Sequence, residues 1–184
     1  TIDTLAQDYA NLILSHHPPP KYIGGFSIAG VTALATAKIL EQRGSPVKGV
    51  ILLDTIYPRS LFKSALFLRV LSFFAKALLL NSIVINGRRL QLMFADAGIR
   101  IQLEGLKNHQ LQPYNGNVAL IVSSQIHPKQ WLFLPWAKYL PNLRKYKVKG
   151  FHGSIFKKKN IPGLVKAIEN YIFYQNKNVT VQRD

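Results

Sequence analysis

The chain has 184 residues, 48% of them hydrophobic, with 24 Lys+Arg against 8 Asp+Glu, a formal charge of +16 and no cysteine. That length suits about one domain, and the apolar content excludes disorder over most of it, because disordered chains lack the surface to offset chain entropy. The missing cysteines exclude a disulfide scaffold, a thiolate nucleophile and any Cys-based metal site, while the charge excess favours nucleic acid, anionic lipid or an acidic protein as partner. Ile2, Leu5, Ala6, Tyr9, Leu12 and Ile13 recur at helical spacing over 1–16, and Pro18, Pro19 and Pro20 stop that helix. Lys21 to Phe26 reads as a buried strand, Ile28 to Arg43 as a helix ending near Gly44, and Val47 to Asp54 as a second buried strand. Strand, helix and strand within so short a stretch make a βαβ unit, and parallel strands with helical crossovers imply an α/β layered fold.

From Arg59 to about Leu111 the alternation breaks. Residues 59–80 are mostly Leu, Phe, Val and Ala with a narrow polar stripe, and further helices are expected near Gly87–Ala97 and Ile99–Lys107. Arg69 and Lys76 interrupt the apolar 61–80 run, so no uncharged stretch of ~20 residues is left to span a membrane. Val118 to Ser123 restores a strand, Trp136 falls in a loop or short helix, Leu143 to Val148 is a fourth strand, and Ile161 to Tyr174 is a closing helix before a polar, fraying tail. The chain opens at Thr1 inside a helical pattern and shows no secretory leader, so it reads as a cytoplasmic piece of something longer.

Gly25-Phe26-Ser27-Ile28-Ala29-Gly30 falls between a predicted strand and a predicted helix. A serine on such a turn needs small neighbours, because the backbone there is strained and the helix passes close to the strand. Gly25 and Ala29 stand two residues either side of Ser27, the spacing of a nucleophile elbow. The helix N-terminus then offers N–H groups, Ile28 N–H first, to a developing oxyanion. A Gly-rich turn with an N-capping serine would read the same way.

A base and an acid are needed to make serine a nucleophile. Where an elbow carries a triad, the chain order is Ser, then Asp or Glu, then His. Asp3 and Asp8 precede Ser27, Glu41 and Glu169 lie mid-helix, Asp96 and Glu104 belong to the interrupting helices, and Asp184 is in the tail. Asp54 alone follows the C-terminal end of a core strand, where active-site groups of parallel sheets gather. Beyond the strand ending at Ser123, Ser124, Gln125 and Ile126 supply no carboxylate. Among the histidines, His152 lies in Lys149-Gly150-Phe151-His152-Gly153, directly after the last strand; His127 is its rival, and His16, His17 and His109 read as surface residues.

Tyr22-Ile23-Gly24-Gly25-Phe26-Ser27, Ala35, Leu40-Glu41, Gly44 and Val50-Ile51-Leu52-Leu53-Asp54 together resemble the thioesterase domains of polyketide and nonribosomal peptide synthetases. Gln112-Pro113-Tyr114-Asn115-Gly116, Trp136 and Gly150-Phe151-His152-Gly153 extend the similarity over most of the chain. The resemblance implies an α/β-hydrolase-type, mostly parallel sheet with flanking helices, in one partial domain over 1–184 with its N-terminal strands missing. It implies a Ser27–His152–Asp54 triad and acyl transfer from a phosphopantetheine thioester on a carrier protein, to water or to a nucleophile within the acyl chain. It also implies a helical lid insertion over residues 59–111, no metal, and no cofactor of the chain's own. Ala29 departs from the pattern, standing where the elbow usually has its second glycine. The upstream loop that gives the second oxyanion donor is absent too, and losing one such donor costs ~10²–10³ in turnover, so the 184 residues by themselves are expected to be a weak or inactive enzyme.

From Lys138 onward 11 Lys+Arg face only Glu169 and Asp184, a balance suited to an acidic carrier protein. The basic residues lack the aromatic interleaving of nucleic-acid modules, and the 61–80 run allows interfacial lipid contact as a second use. Two other readings stay open: a small-ester or lipid esterase with the same triad, and a catalytically incompetent fragment that binds acyl carriers or lipid.

Overall fold

The computed structural model describes residues 1–16, 18–55, 105–106, 109–124 and 134–181. The expected helices over 59–80 and 87–97, nearly all of the expected lid, and the rival His127 lie outside these. Helix α1 (Ile2–Leu14) is capped by the Thr1 hydroxyl, which accepts from Thr4 N–H at 3.0 Å. It is followed by β1 (Tyr22–Phe26), α2 (Ala29–Gln42), β2 (Gly49–Leu53) and β3 (Val118–Ser123). A short α3 (Leu134–Ala137), β4 (Leu143–Val148), a 3₁₀ turn (His152–Ser154) and α4 (Ile161–Val181) complete the order. All four strands pair in parallel in the sequence β1-β2-β3-β4.

The sheet is covered on both sides at its centre, which is why β2 and β3 read as continuous apolar runs, whereas edge strand β4 carries Arg144, Lys145 and Lys147. In β3, Val118, Leu120 and Val122 pack with Val31, Leu34, Leu40 and Trp136 on the α1–α2 side. Ala119 and Ile121 point the other way, joining Ile155, Leu164, Ala167 and Tyr171 below α4. Helix α4 runs seven residues past the expected stop at Tyr174. Gln175 explains the extension: one turn beyond the fully buried Tyr171, it continues the inward stripe and is itself 6% exposed.

His109 differs from its surface reading. Its side chain is only 6% exposed, and Nδ1 lies 2.9 Å from Asp3 Oδ1. The pair ties the first turn of α1 to the segment leading into β3. Strand register then sets where chemistry can gather. Phe26 pairs with Leu53, Leu53 with Ile121, and Ser123 with Val148, so all four strands end at one rim.

Candidate active site at the C-terminal rim of the sheet

Ser27 follows β1 directly. Its N–H donates to Leu53 O at 2.8 Å, prolonging the β1–β2 ladder by one residue. The chain then swings into α2 with Ser27 at φ +57°, a left-handed conformation uncommon for a side-chain-bearing residue. A β-carbon on Gly25 would overlap the Ala29 carbonyl, and one on Gly30 would overlap the Thr55 side chain. The elbow therefore needs its glycines before the serine and three residues after it. Ala29 is tolerated because the close approach falls on Gly30, a position the motif spacing did not mark. Thr55, fully buried, forms the surface against which that turn packs. Ile28 N–H donates to nothing among the described residues and lies at the start of α2.

Asp54 follows β2 and is, among the described residues, the second non-glycine residue with positive φ, at +47°. It is 3% exposed. Its Oδ1 accepts from Ser123 N–H at 2.8 Å and its Oδ2 from Ser123 Oγ–H at 2.6 Å. His152 Nδ1 lies 3.2 Å from the same Oδ2. Burial alone pushes the Asp54 carboxyl up. Hydrogen bonds from His152 and Ser123 outweigh that and hold it below the ordinary carboxylate value.

His152 opens the 3₁₀ turn after β4. Phe151 N–H donates to Ser154 Oγ at 2.9 Å, Ser154 N–H to Phe151 O at 2.7 Å, and Asn160 Nδ2 to Ser154 O at 2.8 Å, closing the turn around the histidine. The Phe26 ring stacks on the imidazole at 4.6 Å between centroids with 22° between planes, and Phe156 meets Phe26 edge-on at 5.0 Å. His152 is thus set between a carboxylate and the residue that precedes Ser27. Asp54 and His152 are in direct contact. Ser27 Oγ makes no hydrogen bond to His152, or to any other described residue. No group of three or more His, Asp or Glu that could hold a metal ion occurs among the described residues, and no described helix is long and apolar enough to cross a membrane.

Besides Gly30, two residues of this rim carry no role in the sequence analysis. Ser123 figures there only as a strand end without a carboxylate, although a hydroxyl one strand over from Asp54 is a signal for it. Phe26 figures only as part of the strand and the elbow motif. With the geometry in place, the chain can be set beside known proteins. The family model for the thioesterase domain matches residues 1–66, which include Ser27 and Asp54. No curated protein sequence matches the chain.

Among solved structures, the NocB thioesterase domain in covalent complex with a fluorophosphonate nocardicin G analog is 20% identical, with a TM-score of 0.69 over 94% of this chain and 74% of that one. The Vlm2 thioesterase domain is also 20% identical, with a TM-score of 0.62 over 92% and 72%. The four-domain nonribosomal peptide synthetase AB3403 is 19% identical, with a TM-score of 0.67 over 92% of this chain and 16% of that one. The fold is that of these thioesterase domains, an α/β-hydrolase-type parallel sheet, and the family resemblance read from the motifs holds over residues 1–66.

Proposed function

We propose that the chain is a serine thioesterase that releases an acyl or peptidyl group from a phosphopantetheine carrier thioester through an acyl-Ser27 intermediate. Ser27 Oγ attacks the thioester carbonyl while its proton passes to His152 Nε2. The Nδ1–H of His152 donates to Asp54, which orients the ring and stabilises the imidazolium. Ile28 N–H donates to the oxyanion. The C–S bond then breaks and the thiol leaves with the proton from His152. Water, or a hydroxyl or amine within the acyl chain, attacks the acyl-serine and returns Ser27, giving hydrolysis or cyclisation. These side chains supply nucleophile, base and acid, so the reaction asks for no cofactor beyond the phosphopantetheine that carries the substrate.

The observation that carries this reading is the Asp54–His152 contact of 3.2 Å at the rim where Ser27 sits in a left-handed elbow. An acidic carrier as partner is supported by charge. Between residues 105 and 168 the chain has no Asp or Glu, and Lys147, Lys149, Lys157, Lys158 and Lys159, close to His152 in sequence, are exposed. Affinity for such a carrier is expected to fall with added salt.

The test is labelling of the full-length protein with a fluorophosphonate probe. Wild type should label, Ser27→Ala should not, and His152→Ala should label far more slowly while keeping its fold. A Ser27→Ala protein that still labels, or a wild type that never does, overturns the reading. Turnover of a short acyl thioester against the matching oxoester separates a thioesterase from an esterase on the same scaffold.

A further inference from the structure

We propose that Ser123, at the end of β3, is a positioning residue for the reaction, locking the Asp54 carboxylate so that one chosen oxygen faces His152. The inference rests on the serine-hydrolase reading above. One residue engages both carboxylate oxygens, its N–H taking Oδ1 at 2.8 Å and its hydroxyl taking Oδ2 at 2.6 Å. Two bonds from a rigid strand end fix the plane of the carboxylate, which a single donor would leave free to rotate. The hydroxyl bond has the length of a charge-assisted O–H···O⁻ contact. Ser123 is 2% exposed and Asp54 3%, so water cannot take the place of either bond.

The choice of oxygen matters chemically. Oδ2 receives the Ser123 hydroxyl and also lies 3.2 Å from His152 Nδ1. With a second donor already on it, that oxygen is a weaker base toward the imidazolium proton. The proton gained from Ser27 therefore stays on His152, available to the leaving thiol, instead of drifting to Asp54. The Ser123 bonds are also among the causes that hold the Asp54 carboxyl below its ordinary value. Among the described residues, the groups facing Asp54 are His152 from the turn after β4 and Ser123 from β3; no lysine, arginine or second carboxylate pairs with it.

The test compares wild type, Ser123→Ala, Ser123→Thr and Ser123→Cys by two readings. The first is the titration of the Asp54 carboxyl carbon by NMR, assigned with Asp54→Asn. Ser123→Ala should titrate at higher pH than wild type, and Ser123→Thr, which keeps the hydroxyl, at the wild-type position. The second is the rate of fluorophosphonate labelling, in which Oγ–P forms, fluoride leaves and the seryl proton passes to His152. It should fall roughly tenfold in Ser123→Ala, with the acid limb moving to higher pH, and recover in Ser123→Thr. Ser123→Cys, similar in size but a weak donor, should follow alanine and serves if the alanine variant does not fold.

Coincident Asp54 titrations in wild type and Ser123→Ala, or a Ser123→Thr protein as slow as the alanine variant, would overturn the inference. The two readings fail separately. If Ser27→Ala loses the label but Ser123→Ala matches wild type in both measurements, the positioning role is wrong and the nucleophile stands. If Ser27→Ala keeps the label, the nucleophile is wrong while the carboxyl titration still judges Ser123.

Discussion

Two strand ends in this molecule share a backbone device and put it to opposite uses. Ser27 and Asp54 both sit at positive φ, +57° and +47°, one residue beyond adjacent parallel strands. Such conformations in non-glycine residues cost on the order of 1–3 kcal/mol each and persist where the surroundings enforce them. After β1 the left-handed turn holds a hydroxyl out with no described partner. After β2 the same turn drives a carboxylate into a site where three donors meet it. Presentation and restraint thus come from one geometry, and what distinguishes them is the neighbour: a helix start beside Ser27, a serine and a histidine around Asp54.

The largest expected effect breaks the restrained side. Asp54→Asn keeps shape but removes the charge that orients His152, and labelling or turnover should drop about 10³–10⁴-fold. The same variant has a pH signature. The folded carboxyl lies below its ordinary value of 3.8, so ionised Asp54 adds stability above the unfolded value and loses it as pH falls through the folded one. Melting curves should show wild type well above Asp54→Asn near pH 7 and the two converging in the acid range. A constant gap at all pH values would contradict the assignment.

A smaller effect sharpens the presenting side. Gly30→Ala would force a methyl against Thr55, costing roughly 1–3 kcal/mol as overpacking does. Thr55→Ala in the same chain removes two of the three overlapping atoms and should return part of the loss in a denaturant melt. Failure of that rescue would mean that the elbow's tightness lies elsewhere.

The mildest change joins the two sides. Phe26 stands next to Ser27 and stacks on His152. Phe26→Ala should slow labelling about tenfold while leaving the Asp54 carboxyl titration where it is. Phe26→Tyr should restore the rate, since the stacking face is kept.

Much of this is legible in the sequence. The bounds of β3 and β4 coincide with the expected Val118–Ser123 and Leu143–Val148; β3, buried along its whole length, announces itself as a short apolar run between breakers, whereas β4 is a partly exposed edge strand. Strand β2 stops at Leu53, one short of the reading, because Asp54 leaves the extended region to reach its partners. The tail of α4 was hidden by its polarity: Gln175 sits on the buried face, and composition cannot show which polar residue packs inward.

At the site, strand-end logic marks Ser27, Asp54 and His152, since carboxylates and glycine-flanked histidines are scarce. It passes over Ser123, Phe26 and Gly30. A serine, a phenylalanine and a glycine are ordinary residues whose part is set by who stands one strand away, and that adjacency is a property of register.

The uniform strand direction has a practical corollary. Ser27, Asp54 and His152, the proposed reacting groups, sit where strands finish, whereas the connection from α2 into β2 runs along the side where strands begin, about 17 Å away for a five-residue strand at ~3.3 Å per residue. Residues 44–46 of that connection lie at the surface, fully or in part. A fluorophore or affinity handle grafted there would report on the molecule without crowding its chemistry.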